Sequence, residues 1–221
     1  MTMTLSGPML APRSGRPPKQ LMVLLHGYGA DGSDLLSLGY DWGERWPDML
    51  FVSPNAPAPC GLGGPGFEWF PIDFDRRDLA REIGLPMAAP VLVNFLMDLW
   101  SQSGIGPAQT VLAGFSQGAM MALHVGTALD QRLAAIVAFS GAFSPASGFA
   151  EGRSAKPPVA LIHGSEDQVV DPDLSRAAAE QLRAAGIETS LHISPGAAHG
   201  IAPDGFDFAT TFLSTHLSAA T

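Results

Sequence analysis

The chain has 221 residues, 46% of them hydrophobic and 15% charged, a balance that supplies one substantial core and excludes intrinsic disorder. A net charge of −9, with 12 Lys and Arg scattered along the chain, excludes a surface built for nucleic acid or for an anionic membrane. A single cysteine, Cys60, excludes an intramolecular disulfide and a CxxC metal site.

Residues 1–20 contain Pro8, Pro12, Pro17 and Pro18 and lack the uninterrupted apolar segment of a secretory signal. They read as an arm of the same domain as residues 21–221. No apolar run approaches the ~20 residues that span a bilayer, and one cysteine fits a reducing compartment. The expectation is a cytoplasmic protein without stable membrane insertion. Leu21 to Leu25 is apolar at every position, which predicts a strand buried on both faces, ending at His26-Gly27. Asp31 to Trp46 reads as loop and helix, with Leu35, Leu36, Leu38 and Trp42 inward. Met49 to Val52 is a second strand, stopped by Ser53-Pro54-Asn55-Ala56-Pro57.

Residues 54–75 mix Gly and Pro with Phe67, Trp69, Phe70 and Phe74. A long loop with clustered aromatics is either a hydrophobic plug on the core or a substrate wall. A helix is predicted over 81–103, with Pro86 and Pro90 delaying or kinking its start. Val91, Leu92, Phe95, Leu96 and Leu99 recur on it at helical spacing. Thr110 to Ala113 is the next apolar run, followed by Gly114-Phe115-Ser116-Gln117-Gly118 and a helix of small and apolar residues. Leu133 to Phe139 and Val159 to Ile162 are further buried strands, the latter ending in His163-Gly164. Asp171 caps a helix with Pro172 at its first position and Gly186 at its end. Thr189 to Ile193 is the last strand and Pro203 to Leu217 the closing helix. There is no internal repeat and no domain boundary.

Buried strands alternating with helices predict a mostly parallel sheet covered on both faces, the α/β class. Ligands of such sheets bind outside the carboxyl ends of the strands. His26-Gly27, Ser116, the loop after Gly164 and the loop after Ile193 then share one rim.

Gly-x-Ser-x-Gly between strand and helix is a nucleophile elbow, or else a tight turn with a serine N-cap. A nucleophilic serine needs a histidine base, and the histidine needs a carboxylate to fix its tautomer. Of six histidines, His26 and His163 end strands and read as structural, bonding nearby loop backbone. His124 lies on the elbow helix and reads as packed, His192 lies inside a strand and His216 on the final helix. His199, in the loop after the last strand, is the candidate base. Asp167, in the rim loop after Gly164, is the candidate carboxylate; Glu166 reads as solvent-facing or as holding the loop, and Asp171 as a cap. The order Ser116, Asp167, His199 is that of α/β-hydrolases. Candidate oxyanion donors are the backbone N–H groups of Gln117 and Tyr28.

His26-Gly27-Tyr28-Gly29-Ala30-Asp31-Gly32, Pro54-Asn55-Ala56-Pro57, Trp69-Phe70, Gly114 to Gly118, His163-Gly164-x-x-Asp167-x-Val169-Val170 and His199-Gly200 occur in that order. This series resembles the phospholipase/carboxylesterase family, which includes bacterial carboxylesterases and eukaryotic acyl-protein thioesterases, from about Leu21 to the end. The resemblance implies an α/β-hydrolase fold without a large cap, a Ser-Asp-His triad, no cofactor, and hydrolysis of carboxylic esters or thioesters through an acyl-enzyme. It also implies a small-molecule or lipid ester substrate, and often a homodimer. Lysophospholipase and acyl-protein thioesterase are the alternative activities; a catalytically silent binding protein is the non-enzyme alternative. Tyr28 stands where many members carry Leu, and Ala198 where Gly is common. Leu62, Phe67, Trp69 and Phe70 are the candidate acyl-side lining. His26, Asp31 and Asp34 lack a recognised metal-ligand spacing.

Overall fold

Every residue of the apolar run at 21–25 is buried, because its strand lies inside a seven-stranded sheet with both faces covered. The computed structural model describes residues 5–61, 63–149 and 155–217. In chain order the strands are β1 (Met9–Leu10), β2 (Gln20–Leu25), β3 (Met49–Val52), β4 (Ala58–Pro59), β5 (Phe67–Glu68), β6 (Thr110–Phe115), β7 (Ala135–Phe139), β8 (Val159–Gly164) and β9 (Thr189–Ser194). The main sheet runs β1-β3-β2-β6-β7-β8-β9, and β4 and β5 form a separate two-stranded ribbon. The short β1 is antiparallel to β3; every other pair in the sheet is parallel.

The helices are α1 (Gly32–Arg45), α2 (Arg77–Ser103), α3 (Gln117–Gly126), α4 (Pro172–Ala184) and α5 (Pro203–His216). Strand alternation divides the core between them. Leu21, Val23 and Leu25 pack with Leu92 and Leu96 of α2, Met121 and Val125 of α3, and Leu182 of α4. Met22 and Leu24 point the other way, into a layer holding Leu35 and Trp42 of α1 and Phe212 and Leu213 of α5. The Asp31 carboxylate accepts from the Ser33 N–H and caps α1; Asp171 accepts from Asp173 N–H and caps α4, as expected.

Three local features differ from the sequence reading. First, β1 lies within the arm. Its register is held by pairing with β3 and by the nearly sealed Asp48 carboxylate, which receives Arg16 Nε at 3.2 Å and Nη2 at 3.1 Å. Second, α2 starts at Arg77 and carries Pro86 and Pro90 inside it. Both prolines sit on the exposed face one turn apart, where water can serve the carbonyls they leave unbonded. The opposite face drives Leu85, Leu92 and Leu96 into the core and holds the helix across them. This helix is also long and apolar enough, by length and composition alone, to cross a membrane, which a count of consecutive apolar residues does not reveal. Third, part of the 54–75 loop is ordered by the β4–β5 ribbon and by a bridge between Phe67 and Ala30. Gly66 makes that bridge possible: a Cβ there would lie 2.3 Å from the Gly29 carbonyl oxygen.

Candidate active site

The end of β6 and the start of α3 are joined by one residue, Ser116, with φ 53° and ψ −116°. A positive φ on a non-glycine residue is strained, and it persists only where its surroundings enforce it. Here Ser116 N–H donates to the Phe139 carbonyl at 2.9 Å and the Ser116 carbonyl accepts from Met120 N–H at 3.0 Å. The flanking glycines are demanded by contact. A Cβ on Gly114 would lie 2.4 Å from the Gly118 carbonyl carbon, and one on Gly118 would lie 2.0 Å from the Leu25 carbonyl oxygen. The serine is therefore held on a turn that lifts its hydroxyl above the sheet. It does not act as an N-cap, since its side chain makes no capping bond.

The rim brings the three distant candidates together. Ser116 Oγ lies 3.1 Å from His199 Nε2, and His199 Nδ1 lies 2.6 Å from Asp167 Oδ2. Asp167 Oδ1 accepts from the N–H groups of Val169 at 2.8 Å and Val170 at 2.9 Å. Burial pushes the Asp167 pKa up, but the bonds from His199, Val170 and Val169 outweigh it and hold the carboxyl below its ordinary value. An ionised Asp167 can only accept, so His199 Nδ1 carries the proton and Nε2 presents a lone pair to the serine hydroxyl. The Phe115 ring packs against the imidazole at 4.8 Å between centroids.

Gln117 is the first residue of α3, so its N–H is one of those that no intrahelical carbonyl can reach. Its buried side chain ties two segments together, with Oε1 accepting from Trp69 N–H at 2.8 Å and Nε2 donating to the Phe70 carbonyl at 2.7 Å. The elbow and the 69–70 segment are thereby one unit. Tyr28 follows Gly27, whose missing side chain leaves the loop against Phe115 and the Ser116 Cβ. Behind this loop His26 is sealed from solvent. Its Nδ1 donates to the Gly27 carbonyl at 2.7 Å, and its Nε2 accepts from Ala56 N–H at 2.9 Å. Burial lowers its pKa and keeps it neutral, as that tautomer requires. His26 thus shapes the Tyr28 loop from beneath, as expected of a structural histidine. His124, expected to be packed, is buried with Nδ1 2.7 Å from the Ser144 carbonyl.

Above Ser116 and His199 opens a largely apolar cavity of about 580 Å³. Its wall includes Tyr28, Phe70, Phe74, Met120, Val170 and Leu174. Of the residues suggested for this wall by sequence, Phe70 is found there. Phe67 and Trp69 are not part of it: Phe67 is drawn off by its backbone pairing with Ala30 and Gly29, and the Trp69 indole is buried, donating to the His26 carbonyl at 3.0 Å. Leu62 lies outside the described residues. The sequence reading misses Met120, Val170 and Leu174 as wall residues; Val170, three residues past the candidate carboxylate in a rim loop, carries the only usable signal. A second, more open cleft of about 510 Å³ shares Asp34, Phe115 and His199 with the first and includes Ser37 and Asp41.

A mostly parallel sheet, a strand–serine–helix elbow and the chain order Ser, Asp, His define an α/β-hydrolase. Within that class the chain belongs to the phospholipase/carboxylesterase family, whose sequence pattern matches residues 11–217. It is 31% identical over 198 residues to esterase YpfH of Escherichia coli K12, covering 90% of this chain and 83% of that protein. It is 32% identical over 169 residues to acyl-protein thioesterase 1 of Schizosaccharomyces pombe, covering 73% of this chain and 74% of that protein. The solved structure of esterase PE8 matches with a TM-score of 0.92 at 53% identity, covering 97% of this chain and 100% of the other. The family expected from the sequence motifs is the family found.

Proposed function

We propose that this protein hydrolyses carboxylic esters by two-step acyl transfer on Ser116. The observation that carries the reading is the hydrogen-bonded series Ser116 Oγ, His199, Asp167 at the floor of an apolar cavity. Ser116 Oγ attacks the acyl carbonyl carbon while its proton passes to His199 Nε2. The carbonyl electron pair moves onto oxygen, and the N–H groups of Tyr28 and Gln117 donate hydrogen bonds to the resulting oxyanion. Collapse breaks the bond to the leaving group, which takes the proton from His199. Water then loses a proton to His199 and attacks the acyl-enzyme; the bond from Ser116 Oγ to the acyl carbon breaks, Oγ takes that proton back from His199, and the acid is released. No cofactor is needed at any step.

The acyl chain occupies the 580 Å³ cavity, a volume typical of small-molecule sites. The leaving group occupies the cleft that shares His199, because it must receive its proton there. Thioesters are the second reading, favoured by the acyl-protein thioesterase among the similar proteins; the same steps apply with a thiolate leaving. Ser116→Ala is expected to lower kcat for a short p-nitrophenyl ester by roughly 10⁴-fold or more while the thermal midpoint stays or rises. Near-normal turnover by a folded Ser116→Ala protein would remove this proposal.

A further inference from the structure

The acid of the triad has a second imidazole on it. His163, the penultimate residue of β8, is 1% exposed and places Nε2 3.1 Å from Asp167 Oδ2, the oxygen that also meets His199 Nδ1. The same Nε2 lies 2.9 Å from the Val170 carbonyl oxygen. Carboxylate and carbonyl oxygens only accept, so Nε2 must carry the hydrogen. Desolvation by burial lowers the His163 pKa and keeps the ring neutral, so Nδ1 has a lone pair and needs a donor. One is present: Ser175 Oγ, on the first turns of α4 and 2% exposed, lies 2.7 Å from Nδ1. The other acceptor within its reach, the Gly141 carbonyl, is farther, at 3.4 Å.

We infer that His163 is a positioning residue for the reaction, and that Ser175 sets the tautomer in which it works. This rests on the triad assignment above. Asp167 Oδ2 divides its lone pairs between two imidazole N–H donors. The bond to His163 fixes the carboxylate against rotation, and it drains charge that would otherwise bear only on His199. A carboxylate relieved of His163 binds the His199 imidazolium more tightly and makes His199 more basic. The Val170 carbonyl, tied to the same N–H, holds in register the loop whose Val169 and Val170 N–H groups grip Asp167 Oδ1. The series Ser175, His163, Asp167, His199, Ser116 therefore runs from α4 to the nucleophile.

The test uses the full chain and three variants: His163→Leu removes the donor, His163→Gln restores an N–H at about the same reach, and Ser175→Ala removes only the hydroxyl. The charged groups that line the cavity with His199, Asp34 on α1, Arg77 on α2 and Asp171 at the start of α4, are unchanged in all three, as is exposed Glu166 beside Asp167 in the chain. Wild type must first show ester hydrolysis that Ser116→Ala abolishes, which separates failure of the triad assignment from failure of this inference. The readout is then kcat/KM against pH. In His163→Leu, the acid limb is expected to move up by about half to one pH unit. With it kcat should drop by roughly tenfold at near-constant KM. His163→Gln should return most of both. Ser175→Ala, the mildest change, should shift the limb in the same direction by a smaller amount. In wild-type protein labelled with ¹⁵N-histidine, long-range ¹H–¹⁵N spectra should show His163 as the Nε2–H tautomer, and Ser175→Ala should lose that single state. An acid limb identical to wild type in both His163→Leu and Ser175→Ala, or His163 found with its proton on Nδ1, would overturn the inference.

Discussion

The floor and the wall of the cavity are built by opposite means. On the floor, Ser116, His199 and Asp167 come from three loops, and each is fixed by backbone contacts that tolerate no added atom or by short hydrogen bonds. The wall is assembled from side chains of the Tyr28 loop, the 70–74 segment, the start of α2, α3, the 169–170 loop and α4, and it opens to solvent through half-exposed Phe74 and Val169. Rigid polar groups suit a floor where charge develops, since preorganised donors act without reorganising. Apolar wall contacts suit binding of a chain whose length varies, because each methylene adds only a modest increment. Floor changes should therefore appear in kcat, and wall changes in the ranking of substrates.

The harshest way to break that division is at Asp167, the acid of the proposed triad. Asp167→Asn should present an amide to His199 Nδ1, favour the wrong tautomer, and cost about 10⁴-fold in kcat on every ester tried. A loss confined to long-chain substrates would show that the floor does not act as a unit. On the wall, Leu174→Trp should fill space in the cavity that Leu174 and Met120 both line. The expected result is a fall of about tenfold in kcat/KM for long acyl chains relative to short ones, with short-chain turnover kept. An unaltered chain-length profile would place the acyl group elsewhere.

Trp69 sharpens the comparison because its sequence context suggests the wall and the structure puts it beneath the floor. Trp69→Phe strands the buried His26 carbonyl, so it should cost roughly 1–3 kcal/mol in urea unfolding and leave the chain-length ranking unchanged. A changed ranking would return Trp69 to the wall.

The smallest expected effect is in the pH dependence of stability. His26 and His163 both have pKa values lowered by burial from the ordinary 6.5. Below that pH the unfolded chain binds protons that the folded chain refuses. Their stability contribution is thus complete above pH ~6.5 and is lost as pH falls towards their folded values. Asp167 acts in the same direction but lower, since its depressed pKa protects it until the carboxylate range is reached. The urea midpoint should decline modestly from about pH 7.5 to about pH 5.5; a midpoint flat over that range would contradict neutral burial of the two rings.

The same contrast explains what sequence can reveal. β2, the elbow, Asp167 and His199 are legible because local rules act on them: a run apolar at every position, a Gly-x-Ser-x-Gly turn, and loops that must emerge on one rim. His163 reads as bonding loop backbone, and its Nε2 does meet the Val170 carbonyl. Its contact with Asp167 Oδ2 depends on the path of the 164–170 loop, which no local rule dictates. The wall is less legible still. Met120 and Leu174 lie on helices whose apolar residues read equally well as core, and Phe67 and Phe70 are identical in a loop until pairing with Ala30 turns one away. β1 and the β4–β5 ribbon are two-residue elements made by tertiary pairing, below the length at which alternation is visible.

Covalent capture reports directly which side chain is the nucleophile. A fluorophosphonate ester should add once per chain, peptide mapping should place the adduct on Ser116, and His199→Ala should slow that labelling by orders of magnitude. An unlabelled wild-type protein, or an adduct on another residue with ester hydrolysis intact, would contradict the account.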